Sequence, residues 1–137
     1  MPDERPNTIQ VTPFLGVRDL QVSIDFYTGI LGFGAFAVGG GYAYLEREQA
    51  AIRLLEVSAE DLPEVRALAC YFDVWDVDAE YSRLIDTLVM LAPDRWKGPV
   101  DQPYNQRELI VRDPDGHVIT FGQGIGPNAG QWDYRGS

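Results

Sequence analysis

Apolar side chains recur along the chain in two rhythms. Leu20, Ile24, Tyr27 and Leu31 fall at the spacing that lines one face of a helix, and Val77, Tyr81, Leu84 and Leu88 repeat it. Asp19 and Asp76 stand just before the two stripes, where a side-chain oxygen can cap the first free amides of a helix. Gly32 marks where the first helix closes. The remaining apolar runs are short and predict strands over residues 9–17, 33–38, 42–47, 51–57, 68–75, 108–112 and 118–122. Pro13 inside the first run implies an edge position or a bulge. Turns are expected at Gly39-Gly40-Gly41, at Glu48-Gln49 and at Asp113-Pro114-Asp115-Gly116, the last combining a preset proline dihedral with a glycine. Val89 to Leu91 is expected to begin a further strand, and residues 94–105 to form a long loop. Residues 1–8 read as a polar arm, 58–67 as a polar linker, and the segment from Gly124 as a fraying tail.

This order is strand, helix, three strands, given twice. The two capping aspartates lie 57 residues apart and open their helices in the same way. The chain of 137 residues is therefore expected to be one α+β domain of two βαβββ modules, about 9–57 and 68–123. Each helix covers one face of its strands and leaves the other open. Two such halves make a curved mixed sheet with a trough, which is where a ligand belongs.

Charge narrows the partners. With 21 acidic and 11 basic residues the formal net charge is −10, which argues against nucleic acid or an anionic membrane and permits a cationic ligand. The stretch from Glu56 to Glu80 holds eight acids against one base, Arg66. Cys70 is the single cysteine, so no internal disulfide is possible, and its place in an apolar strand reads as core packing. The polar start of the chain carries no signal-peptide or membrane-spanning pattern, and a cytoplasmic protein is expected. No Ser/His/Asp or Cys/His triad is evident, and no catalytic residue is expected.

Val17-Arg18-Asp19-Leu20, Phe26-Tyr27 with Leu31-Gly32-Phe33, and Asp113-Pro114-Asp115-Gly116 together resemble the vicinal oxygen chelate superfamily. That superfamily includes glyoxalase, the bleomycin resistance proteins and the extradiol dioxygenases. The resemblance spans residues 9–123, and Gln102-Pro103-Tyr104 followed by Arg107-Glu108-Leu109 is most similar to the bleomycin resistance branch. The resemblance implies that enzymes on this fold hold a divalent metal in the trough, with His, Glu or Gln ligands from both halves. The corresponding places here hold Thr12, Ala69 and Thr120, with Leu55 at the hairpin position and Glu56 beside it. Neither alanine nor threonine is a normal ligand for such a metal, so no metal and no cofactor are expected. The lone histidine, His117, follows the last turn and reads as a polar, solvent-facing turn residue.

Strand alternation selects what lines the trough instead. If Ala69 faces it, Tyr71, Asp73 and more loosely Trp75 do too, while Cys70, Phe72 and Val74 pack against the helix. If Thr12 faces it, so does Phe14; Tyr42 and Tyr44 share a face, and Tyr104 lies in the loop before the last hairpin. Bleomycin resistance proteins resemble this arrangement in holding a large cationic, aromatic antibiotic with aromatic and acidic side chains. Tyr42, Tyr71 and Tyr104 match aromatic places in them, although tyrosine stands where such proteins often carry tryptophan. The expected ligand-binding set is Phe14, Tyr42, Tyr44, Glu56, Tyr71, Asp73 and Tyr104, acting through ring stacking and attraction of a cation. Trp96 reads as a loop anchor, Arg107 as the partner of an acid near the last turn, and Trp132 and Tyr134 in the tail are unassigned. The resemblance also implies a homodimer with troughs between subunits. A metal-dependent lyase, isomerase or dioxygenase and a metabolite-binding accessory domain are the alternatives on the same fold.

Overall fold

Each half of the chain opens on a short strand that runs straight into an aspartate-capped helix. A computed structural model describes residues 6–58, 60, 67–130 and 132. The first module consists of β1 (Phe14–Val17), α1 (Leu20–Gly29), β2 (Gly34–Gly39), β3 (Tyr42–Arg47) and β4 (Ala50–Glu56). The second consists of β5 (Ala69–Asp73), α2 (Val77–Leu88), β6 (Trp96–Asp101), β7 (Gln106–Arg112) and β8 (Val118–Gly124). The strands form two four-stranded mixed sheets, ordered β1-β4-β3-β2 and β5-β8-β7-β6. In each, the opening strand runs parallel to the closing one and the other pairings are antiparallel.

The repeat extends to individual hydrogen bonds. Asp19 accepts from the amide of Val22, and Asp76 from that of Ala79. The first amide of α1, Leu20 N–H, donates to Glu56 at 2.8 Å; the first amide of α2, Val77 N–H, donates to Gln123 at 2.9 Å. A side chain from the closing strand thus satisfies one orphan donor of each helix. Gly32 supplies the positive φ (77°) that turns the chain after α1, and Phe33 N–H bonds back to Tyr27 C=O.

Three boundaries differ from the sequence reading. The first strand starts at Phe14 and not at residue 9, because Pro13 has no N–H to give the ladder. Val89 to Leu91 is no strand: Val89 is the C-cap of α2, and Leu91 N–H bonds to Leu88 C=O. The expected loop 94–105 contains an edge strand, β6, whose register with β7 shifts between Lys97 and Val100. Gly98 and Pro99 produce the irregularity. Gly98 has φ +116°, and a Cβ there would lie 2.3 Å from the Glu108 carbonyl oxygen. Edge strands tolerate such residues, and Trp96 accordingly sits in a strand against Tyr81 of α2, with ring centroids 6.1 Å apart.

Among the described residues no strand pairing joins the two sheets; the modules are joined through their helix sides. Phe33, Phe72 and Phe121 form a chain of ring contacts at 5.9 and 5.4 Å. Arg47, 7% exposed, donates to Leu31 C=O at 2.9 Å, pairs with Glu80 through both terminal nitrogens and lies over the Phe121 ring. The turn before β8 docks on α1: Arg18 pairs with Asp115 at 2.9 Å, and Tyr27 donates to Asp113 at 2.7 Å. Burial, and then the Asp113 carboxylate, push the Tyr27 phenol far above its ordinary range; burial raises Asp113 as well, against the lowering effect of its hydrogen bonds. His117 is 1% exposed, not the solvent-facing residue expected. Its Nδ1 accepts from Leu68 N–H at 2.9 Å, leaving Nε2 as the donor to Gly16 C=O at 2.8 Å. The three motifs that carry the resemblance therefore meet in one contact between modules.

Candidate functional site

Alternation puts the apolar side chains of both sheets beneath the helices and a second set on the open faces. On the first sheet, Leu15, Ala43, Leu45, Ile52 and Leu54 are fully buried. On the opposite face the register aligns one residue from each strand into a row: Phe14 on β1, Arg53 on β4, Tyr44 on β3 and Phe36 on β2. Phe14 and Phe36 are each about half exposed. Tyr42 stands one step along β3, its ring 6.1 Å from Phe14. The Arg53 guanidinium lies over the Tyr44 ring at 4.9 Å, and donates through Nε to Thr12 Oγ1 at 2.8 Å and through Nη1 to the Tyr42 hydroxyl. Tyr44 accepts from Gln10 and donates to Glu46.

The second open face is organised around a carboxylate. Glu108 on β7 is 3% exposed although it points away from the helix. Tyr104, in the loop before β7, donates to it at 2.9 Å, and the Tyr71 hydroxyl lies against it from β5. Tyr71 reaches that position across Gly122, where a Cβ would be 1.8 Å from its hydroxyl oxygen. Partial burial, then the bond to Glu108, raise the Tyr71 phenol above the ordinary tyrosine range; the bond to Glu108 is the main cause that raises Tyr104. Asp73, two residues along β5, has its carboxyl raised by loss of solvent.

The structure thus gathers Phe14, Tyr42 and Tyr44 on one sheet, and Tyr71, Asp73 and Tyr104 on the other. Among the described residues no hydrogen bond or ring contact joins the two groups. Glu56 joins neither, because its carboxylate turns to the helix side and holds Leu20 N–H. A cleft of about 1540 Å³ runs along β5, between the segment around Val11 and Pro13, the β3–β4 turn and the start of α2. Tyr71, Asp73 and Trp75 line it, as does Trp132; Phe14, Tyr42, Tyr44 and Tyr104 do not. Arg107 pairs with Asp78 and Asp101, not with an acid near the last turn. Cys70 is buried in the core as expected. Tyr134 lies outside the described residues.

Arg53, Glu108 and Phe36 were not among the residues that sequence reasoning selected. A strand arginine or glutamate looks like any solvated residue until cross-strand register shows its neighbours. The alternation of β3 and β4 carried the available signal, since Arg53 shares a parity with Leu55 and alternates with the buried Ile52 and Leu54.

The places where metalloenzymes of this fold carry ligands do not fit a divalent cation. Thr12 Oγ1 is occupied by a guanidinium, Leu55 and Ala69 offer no donor atom, and Thr120 is a hydroxyl beneath Tyr71 in the ladder. Among the described residues no three His, Cys, Asp or Glu side chains cluster to hold an ion. Among them, too, no helix is long and apolar enough to cross a membrane.

Residues 8–121 match the family model of the Glyoxalase/Bleomycin resistance protein/Dioxygenase superfamily. The chain belongs to that superfamily. It is 31% identical to a bleomycin resistance protein of Geobacillus stearothermophilus, over 85% of this chain and 98% of that one. Its fold superposes with a TM-score of 0.70 on a bleomycin resistance determinant encoded on the transposon Tn5, at 25% identity over 85% of this chain and 98% of that one. TnmS3, an antibiotic binding protein from Streptomyces sp. CB03234, is similar at 26% identity and a TM-score of 0.64, over 88% and 99% of the two chains. The two helices and two mixed four-stranded sheets of this superfamily member are thus those of the vicinal oxygen chelate fold.

Proposed function

We propose that this member of the superfamily is an antibiotic-binding protein that sequesters a cationic, aromatic drug of the bleomycin type by stoichiometric capture. The protein holds no metal in doing so and performs no chemistry on the ligand. The observation that carries this reading is the pairing of metal positions that hold no ligand set (Thr12, Leu55, Ala69 and Thr120) with aromatic residues on both open faces. Phe14, Tyr42 and Tyr44 offer rings from one sheet, Tyr71 and Tyr104 from the other. Flat heteroaromatic groups stack on such rings. A net charge of −10, with Asp73 and Glu108 beside the second ring group, favours a cationic tail. Similarity to bleomycin resistance proteins and to an antibiotic binding protein supports the same reading.

The ring groups sit on separate sheets, and this supports a homodimer in which the first sheet of one copy faces the second sheet of the other. Such an arrangement builds two equal troughs and covers Ile9 and Val11, which are 94% and 88% exposed in the single chain. The test is titration of the purified protein with bleomycin, followed by intrinsic fluorescence with chelator present. Saturation at one ligand per subunit, lost in a Tyr71→Ala, Tyr104→Ala double variant, is the expected result. Absence of quenching, or binding abolished by chelator alone, would overturn the reading. Sedimentation equilibrium on the same samples tests the dimer.

A further inference from the structure

Arg53 is the feature that capture of a cation does not use. It stands mid-row on the open face of the first sheet, half-buried, with Phe14 and Tyr44 as its cross-strand neighbours. Arg18, Arg47, Arg83 and Arg107 each have a carboxylate within ion-pair distance. Among the described residues Arg53, Arg95 and Arg112 have none, and of these Arg53 alone stands on the first module. Its two bonds go to neutral oxygens, Thr12 Oγ1 and the Tyr42 hydroxyl. Those bonds, with the Tyr44 ring beneath, fix the plane of the guanidinium. Of its five N–H groups they use one on Nε and one on Nη1, so among the described residues Nη2 has no hydrogen-bond partner. The terminal nitrogens of a guanidinium have the spacing of a carboxylate's two oxygens.

We infer that the open face of the first sheet is a subsite for a planar aromatic group bearing a carboxylate or an equivalent anionic acceptor, with Arg53 as its anchor. The rings of Phe14, Tyr44 and Phe36 stand in the same cross-strand row as the cation. They lower the local dielectric and strengthen the charge-assisted bond. A chain of net charge −10 otherwise repels anions, so among the described residues of this face Arg53 is the source of an anion preference. The subsite lies on one module and requires neither the second sheet nor a partner. It therefore stands or falls separately from capture of bleomycin: a ligand with both charges would set its acid here and its cation beside Asp73 and Glu108.

The test uses two probes with one ring system and opposite charge, 2-naphthoate and 2-naphthylmethylammonium, titrated calorimetrically into the full chain. The wild type is expected to bind the carboxylate about tenfold more tightly than the ammonium, the value of one hydrogen bond to a charged group. Arg53→Gln is expected to abolish or reverse that preference. Arg53→Lys, which keeps the charge without the planar fork, retains a reduced preference and controls for misfolding. Phe14→Ala weakens both probes alike. Amide shifts induced by naphthoate should concentrate on β1, β3 and β4. No saturable naphthoate binding, equal or tighter binding of the ammonium by the wild type, a preference that survives in Arg53→Gln, or shifts confined to the second sheet would each overturn the inference.

Discussion

Gly122→Ala is the sharpest perturbation of the second open face. The backbone there is an ordinary strand, so alanine itself fits and removes glycine's entropic penalty, a gain of about 0.5–1 kcal/mol. The new Cβ, however, would lie 1.8 Å from the Tyr71 hydroxyl oxygen and 2.6 Å from its ring carbon Cε1. Only a swing of the tyrosine away from β8 relieves this, and that swing separates it from Glu108. A hydrogen bond to a charged group contributes about 1.5–3 kcal/mol when buried, and less here because Tyr71 is 44% exposed. The balance predicts a net loss of about 1 kcal/mol in urea unfolding. A second readout is more specific. Partial burial and Glu108 hold the Tyr71 phenol above its ordinary value, so its contribution to stability is complete below about pH 10 and is lost as pH climbs through the raised folded value. In the variant that phenol should ionise nearer the ordinary tyrosine value of about 10, visible in the ultraviolet absorbance titration, and its share of the alkaline stability loss should vanish. A variant that titrates like the wild type, with unchanged stability, would refute the seating of Tyr71 across Gly122.

Three further outcomes follow from the contacts between modules and from the metal positions. Tyr27→Phe leaves one oxygen of buried Asp113 without its donor, and should cost about 2 kcal/mol by urea denaturation; a loss within error would show that the turn does not bear on α1. Arg47→Met leaves the Leu31 carbonyl without its donor and Glu80 with only the more exposed Arg83 as a cation, and should cost about 2–3 kcal/mol, below the value for a fully unpaired buried charge, with partial recovery in Arg47→Met, Glu80→Leu; a double variant worse than the single one would contradict this. Dialysis against a strong chelator should leave the melting temperature unchanged, because Thr12, Leu55, Ala69 and Thr120 form no ion site; a drop on metal removal would overturn that reading.

The helices and their caps were legible because Asp19 and Asp76 act through local bonds to amides three residues on, and the 113–116 turn because its chemistry is local too. The open-face parity of Tyr71 and Asp73 followed from period-two alternation. What sequence could not supply was every property decided by a distant partner. β6 was hidden because Gly98 and Pro99 have loop chemistry, and only the pairing of their neighbours Trp96, Lys97, Val100 and Asp101 with β7 makes the segment a strand. His117 looked like a turn residue, yet its two acceptor and donor contacts lie 49 and 101 residues away. Glu56 is placed with the ligand set by the sequence although a helix amide claims it, while Arg53 and Glu108 (the latter read only as part of a motif) enter the site once register surrounds each with tyrosines.

The docking of the 113–116 turn on α1 bears on how the molecule comes apart. Tyr27–Asp113, Arg18–Asp115 and His117–Gly16 tie the last hairpin to the first helix and first strand, so neither module can open without exposing the buried Asp113 and His117 of the seam. The two repeats should then behave as a single cooperative unit. Slowly exchanging amides of β3, β4, β7 and β8 should share one opening free energy equal to the global one, despite belonging to separate sheets.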